Sequence, residues 1–245
     1  MLFNSPEFIF IFIPIVLLFA FLAQNYINKE ANIYIIILSS IFFYGFWNIS
    51  YVPLLLGSVL FNFLIHKKIK DSRVLITGLI INVSVLLFFK YTNFFIDNLS
   101  LILDKKFTNY NIALPLAISF FTFQQIAFIV DSYKNKTTKF SIHEYILFIT
   151  FFPQLIAGPI VRFHQFIPQL QSRKLNISLE NFSIGIVIFS IGLFKKIVLA
   201  DQLGIVSDNV FLQSNQHTLS FFESWGGILA FTFQIYFDFS GYSDM

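Results

Sequence analysis

FFPQLIAGPIVRFHQFIPQL, residues 151–170, is the stretch on which the reading of the fold turns. It is an apolar run, yet Pro153 and the Gly158–Pro159 pair interrupt it, and it carries Gln154 and Arg162. Proline removes a backbone donor and collides with the preceding helical turn, so a helix entering a bilayer here cannot cross it undisturbed. Non-helical backbone is tolerated at membrane depth only where protein covers it or where it lines a watery cavity. The pattern therefore predicts a broken helix with a re-entrant return over residues 157–170. Two readings follow for its polar groups. In one, Gln154 and Arg162 complete a polar passage opened by Pro153, Gly158 and Pro159; in the other, the hairpin anchors at the cytoplasmic interface and Arg162 reaches a lipid phosphate.

The rest of the chain supports a membrane setting. Of 245 residues, 56% are hydrophobic and only 12% charged, against about 25% charged in soluble domains. The mean hydropathy is +0.74. Runs of Phe, Ile and Leu approach or exceed the ~17–25 residues of a spanning helix, a pattern foreign to the short alternating strands of a β-barrel. FTFQIYFDF, residues 231–239, does alternate, but its neighbours do not, and it reads as helix. The absence of cysteine excludes a disulfide framework, a thiolate metal site and a cysteine nucleophile. A net charge of +3 suits membrane orientation rather than nucleic-acid binding, which calls for a concentrated basic face on a soluble domain.

The expected fold is an all-α polytopic bundle. Spans are placed near residues 8–24, 33–47, 51–65, 74–89, 112–130, 143–156, 182–199 and 221–244, within a single membrane domain covering 1–245. Glu7 stands where a signal peptide would carry a cation, so the first run reads as a retained span. Lys67, Lys68, Lys70 and Arg73 crowd one short connection and Lys134, Lys136 and Lys139 another. The positive-inside rule puts both in the cytoplasm, together with Lys29, Arg162, Arg173 and Lys174, and leaves the N-terminus outside. Residues 201–223, which lack Lys and Arg, then fall outside. Lys90, Lys105, Lys106, Lys195 and Lys196 are left outside or near the outer interface; Lys195 and Lys196 fit least well and are expected to snorkel outward unless the seventh span is shorter and shifted.

No phosphate loop, nucleophile elbow or paired metal-spaced histidines occur. His66, His143 and His217 read as interfacial, while His164, which follows Arg162 in the broken segment, reads either as touching substrate or as capping a helix or meeting a headgroup. On the last span, Gln234, Asp238, Gly241 and Tyr242 share one helical face, and Asp244 follows. An intramembrane carboxylate such as Asp238 points to function or to a partner on another span. Gln124 and Gln125, central in LPLAISFFTFQQIAFIVDSY from Leu114, are expected to hydrogen-bond neighbouring helices; Pro115 fits that span's first turn.

These residues fall within motifs that resemble those of the membrane-bound O-acyltransferase family. The chain is similar in particular to its alginate O-acetyltransferase-like bacterial branch and, more distantly, to D-alanyl transfer proteins. The matching pieces are KYTNFF at Lys90, LPLAISFFTFQ at Leu114, FFPQLIAGPIVRF at Phe151, GLFKKIVLAD at Gly192 and QIYFDFSGYSDM at Gln234, in family order.

The resemblance implies an enzyme that takes an acyl group, acetyl by preference, from a cytoplasmic donor and passes it to a hydroxyl outside. The donor, acetyl-CoA or an acyl carrier, would be a substrate rather than a bound cofactor, and no metal or nucleic acid is implied. The acceptor would be a cell-surface or secreted polysaccharide such as alginate, reached directly or through an extracytoplasmic acyltransferase partner. The bilayer would be the bacterial cytoplasmic membrane. The family's general-base histidine belongs to motifs beyond the SGYSDM segment, so no catalytic residue carries over. The chain is expected to be an N-terminal half, inactive alone. Gln154, Gly158, Pro159, Arg162, Asp238, Tyr242 and Asp244 remain passage or scaffold candidates. A transporter or flippase would also use broken helices and midplane polar groups, and a non-catalytic scaffold derived from the family is the third reading.

Overall fold

The computed structural model describes residues 1–245 except 28, 106, 109, 111, 135–138, 157, 160 and 173–177, and omits the side chains of 29, 171 and 172. Lys106, Lys136, Arg173 and Lys174 and the Lys29 side chain, used above for orientation, lie outside the described residues, as do positions 157 and 160 of the expected return. Among the described residues the regular structure is helical throughout. Five helical stretches are long and apolar enough to cross a membrane: Phe8–Tyr26, Glu30–Trp47, Ile49–Lys67, Ser72–Leu103 and Leu179–Ser214.

The chain divides into two compact units. One holds Leu18–Ile156 and Ile160–Lys174. It contains most of α1 (Ile13–Tyr26), then α2 (Lys29–Trp47), α3 (Val52–Lys67), α4 (Ser72–Leu103), α5 (Ile118–Tyr133), α6 (Ile142–Thr150), the short α7 (Phe152–Leu155) and α8 (Phe163–Ser172). Its core gathers Tyr44, Leu55, Phe63, Phe128, Tyr145 and Phe163 with their neighbours. A ladder of side-chain amides ties three of these helices together. Asn62 of α3 donates to Asn82 of α4 at 3.0 Å and receives a bond from it at 2.8 Å. Asn62 also donates to the Gln125 carbonyl of α5, and Gln125 donates to Ser58 at 3.0 Å. Gln124 donates to the Phe148 carbonyl of α6 at 3.1 Å. Both glutamines thus bond to neighbouring helices as expected, the arrangement that makes such groups tolerable away from water.

The second unit holds Met1–Leu17, Ala157–Pro159 and Leu175–Met245. Its main feature is a helical hairpin: α9 (Leu179–Phe194) continues through a π-helical turn (Lys195–Ala200) into α10 (Asp201–Ser214), and α11 (Phe221–Asp244) returns beside it. Ser220 and Glu223 form a reciprocal capping box at the start of α11, satisfying two amides that the first turn leaves without partners.

Several boundaries differ from expectation. The span predicted for 74–89 extends to Leu103 and stops only where Asp104 turns left-handed, at φ 50°; no helix breaker lies between. The span expected from 112 begins at Ile118, because Ala117 is left-handed at φ 56°, and Pro115 precedes the helix instead of opening it. The 143–156 span breaks at Phe151, as Pro153 leads one to expect. The amide of Phe152 there donates to Ser40 of α2 at 3.2 Å. Most of the polar stretch 201–223 is helix, since α9 runs on to Ser214.

Candidate functional site

Asp201, Ser207 and Gln234 are polar residues that would ordinarily argue against a membrane helix, and each finds its partner inside the hairpin. The Ser207 hydroxyl donates to the Gln234 carbonyl oxygen at 2.9 Å and to the Gly204 carbonyl at 3.0 Å. At 100° per residue, Lys195 and Lys196 lie roughly 60° and 40° to either side of Gly192 on the α9 surface. Asp238 and Asp244 flank Gly241 by roughly 60° each on α11. The two glycines meet backbone to backbone. A Cβ built on Gly192 would lie 2.6 Å from the Gly241 carbonyl oxygen, and one on Gly241 would lie 2.8 Å from the Gly192 oxygen.

That close approach sets the charged groups against each other on both sides of the seam. The Lys195 ammonium lies 2.5 Å from Asp244 and donates to the Ser240 hydroxyl at 3.0 Å. The Lys196 ammonium is shared between Asp201 and Asp238, at 2.8 Å each. The π-helical turn begins at Lys195, and the Asp201 amide that closes it donates to the Lys196 carbonyl. Asp238 remains 50% exposed and Lys196 26%, so the pairs are open on one side and one carboxylate is in excess over the two ammoniums. An apolar helix pair thereby presents a polar strip with acceptor oxygens suited to hydroxyl groups, water or cations.

The other expected site residues are distributed as follows. Gln154 is buried on α7 and its amide nitrogen has no hydrogen-bond partner among the described residues. Gly158 is buried and Pro159 exposed. Arg162 is exposed and its carbonyl receives the first-turn amides of α8. The ring of Tyr242 packs edge-on against Phe3, centroids 4.8 Å apart. The structure brings Asp238 and Asp244 into one cluster with Lys195, Lys196 and Asp201.

None of the four histidines is among the groups paired in the cluster. His66 bonds Ser132 at 3.0 Å, His143 bonds Tyr34 at 2.8 Å beside a depression of about 500 Å³, and the His164 ring nitrogen lies 3.9 Å from Asp131. His217 follows α10 on the surface.

Residues 129–245 match the model of the MBOAT, membrane-bound O-acyltransferase, family. The whole chain aligns with the peptidoglycan O-acetyltransferase of Helicobacter pylori at 42% identity, covering 53% of that protein. The chain resembles the membrane-bound O-acyltransferase family. The whole chain also aligns with the Pseudomonas putida protein named Probable alginate O-acetylase AlgI, at 35% identity and 51% of that protein's length. A teichoic acid D-alanyltransferase of Streptococcus thermophilus is 28% identical over 52% of the chain and 32% of its own length. The chain spans about half the length of the curated relatives it matches over its full extent.

The two late motifs of the chain are the two sides of the ion-paired seam. GLFKKIVLAD supplies Gly192, Lys195, Lys196 and Asp201, while QIYFDFSGYSDM supplies Gln234, Asp238, Ser240, Gly241 and Asp244. The sequence pointed to the polar face of α11 but treated Lys195 and Lys196 as misfits. Their spacing of three and four residues from Gly192 was the available signal, since it straddles a small residue fit for close helix approach.

Proposed function

We propose that the chain works in membrane O-acyl transfer, as part of an enzyme that acetylates hydroxyls of a cell-surface or secreted polysaccharide. Its alignment throughout with polysaccharide O-acetyltransferases carries this reading. The donor is acetyl-CoA or an acyl carrier on the cytoplasmic side of a bacterial cytoplasmic membrane. The acceptor is the polymer itself or an extracytoplasmic acyltransferase partner. In the transfer the acyl carbon leaves a thioester sulfur and bonds the acceptor oxygen, while the hydroxyl proton passes by way of a base to the departing thiol. The Lys195–Lys196 cluster supplies polar groups to that route within its own unit, and Gln154, Gly158, Pro159, Arg162 and Tyr242 are kept as passage or scaffold candidates, each within its own unit.

The general base is placed outside the four histidines here, because the resemblance assigns it to motifs beyond the SGYSDM segment. The test is donor-dependent labelling of polysaccharide in membranes carrying the complete protein. Labelling lost in Lys196→Met supports the reading; polysaccharide transport without covalent change would replace it with a flippase, and co-purification with the partner but no turnover with a scaffold. Purified residues 1–245 alone should transfer no acetyl group, and robust transfer would refute the placement of the base.

A further inference from the structure

At one end of the unit containing α2–α8, the termini of several helices meet at a common level. The last turn of α3 touches the last turn of α5 through the His66–Ser132 bond of 3.0 Å. Asp131 of α5 faces His164 in the first turn of α8 at 3.9 Å. Phe140, just before α6, packs on Phe163 of α8 at 4.5 Å and on His66 at 4.9 Å. The candidate span Ile49–Lys67 ends here and the span Ser72–Leu103 begins. This end of the unit therefore lies where hydrocarbon gives way to headgroups.

Cations outnumber carboxylates at that level. Lys67, Lys68, Lys70, Arg73, Lys134 and Arg162 are all exposed. The nearby carboxylates are already engaged. Asp71 caps α4 through the Arg73 amide at 2.9 Å, and Asp131 faces His164. Glu144, beside Lys139 at the start of α6, caps it through the Ser141 amide at 2.7 Å. The cations stand on the ends of separate helices, forming a rim at phosphate depth.

Helix α8 completes the interface. It buries Phe163 and Ile167 in the core of the unit and leaves Gln165, Pro168 and Gln169 exposed behind Arg162, so the face it turns outward beside the rim is polar. The His164 ring nitrogen facing Asp131 is buried, so the exposed part of the imidazole lies on the side away from that carboxylate.

We propose that this rim, centred on Arg162, His164 and Lys134, binds the phosphate of an anionic phospholipid and so docks α8 to the membrane surface. Rim charge and headgroup charge are complementary, and juxtamembrane basic groups of this kind attract anionic lipid at short range. The inference is independent of acyl transfer, and binding is its readout.

The experiment uses the complete protein in neutral detergent, titrated with phosphatidylglycerol and, separately, phosphatidylethanolamine. Lipid retention is followed by native mass spectrometry and the thermal midpoint by intrinsic fluorescence. Phosphatidylglycerol should be retained and raise the midpoint, phosphatidylethanolamine should do neither comparably, and the Arg162→Gln/Lys134→Gln variant should bind phosphatidylglycerol about tenfold more weakly, with Lys105→Gln unchanged. The single Lys134→Gln variant, at an exposed helix end, gives a smaller loss and keeps the test valid if the double variant misfolds. Equal response to both lipids, equal weakening by Lys105→Gln, or displacement of phosphatidylglycerol by coenzyme A would overturn the proposal; the last would assign the rim to a soluble phosphate carrier.

Discussion

Replacing Gly192 by alanine adds one methyl group at the point where α9 and α11 touch. That methyl would lie 2.6 Å from the Gly241 oxygen, 2.8 Å from Met245 Cγ and 2.9 Å from the Met245 amide nitrogen. Two of the three obstacles are backbone, so no rotamer change relieves them. Restoring ordinary contact at about 3.5 Å requires the helices to part by roughly 0.9 Å there. Overpacking of this kind costs about 1–3 kcal/mol. Gly185 on the same helix is the control, since a Cβ there meets nothing within 4 Å; alanine should stabilise it by about 0.5–1 kcal/mol through helix propensity alone. The propensity gain is common to both helical positions, so the two variants should differ by the overpacking cost, about 1–3 kcal/mol. Unfolding of the purified protein in a denaturing detergent titration measures the difference. Parting the helices also draws Asp244 from Lys195 and Asp238 from Lys196, so acetylation by the complete protein should fall in Gly192→Ala and persist in Gly185→Ala. Equal stability of the two variants, within about 0.5 kcal/mol, the usual span of a surface substitution, would refute the glycine contact and with it the account of the seam.

Neighbouring Gly226 and Gly227 should also separate: a Cβ on Gly226 meets nothing within 4 Å, whereas one on Gly227 lies 2.5 Å from Val210 Cγ1. Gly226→Ala should stabilise, Gly227→Ala should destabilise by about 1–3 kcal/mol, and Val210→Ala, which removes Cγ1 but leaves Cβ 2.9 Å away, should recover part of that loss in the same unfolding assay. Exchanging Lys195 and Asp244, as Lys195→Asp/Asp244→Lys, should recover most of the stability that either single change loses, because the 2.5 Å pair is kept with its sense reversed; an additive loss in the double variant would show that the pairing contributes nothing. Asn62→Leu should cost about 1–3 kcal/mol by stranding polar atoms of Asn82 and Gln125 away from water, and a neutral result would mean that the buried amide ladder does not form.

Much of this was readable before any coordinates. The density of Phe, Ile and Leu prescribes helices, since backbone groups in hydrocarbon must be satisfied within the segment itself. Pro153 announces the break that the structure shows at Phe151. The polar face of α11 follows from its periodicity, and Gln234, Asp238 and Gly241 all meet the facing arm of the hairpin. Ala117 carries no sequence signal for its left-handed conformation, which is why α5 starts later than predicted.

The sequence by itself determined the membrane setting, the helical class and the motifs that carry the family resemblance, because hydrophobicity, helix periodicity and residue order are properties of a single stretch of chain. Tertiary structure alone decided the partners. Lys195 and Lys196 looked like misplaced interface cations until α11 returned beside them, and Asp201 looked like the start of a loop until Lys196 engaged it. Gly192 and Gly185 lie on the same helix, and of the two only Gly192 meets another backbone. An ion pair and a glycine contact each depend on the distance between two segments, and that distance is set when the helices pack, not by either segment alone.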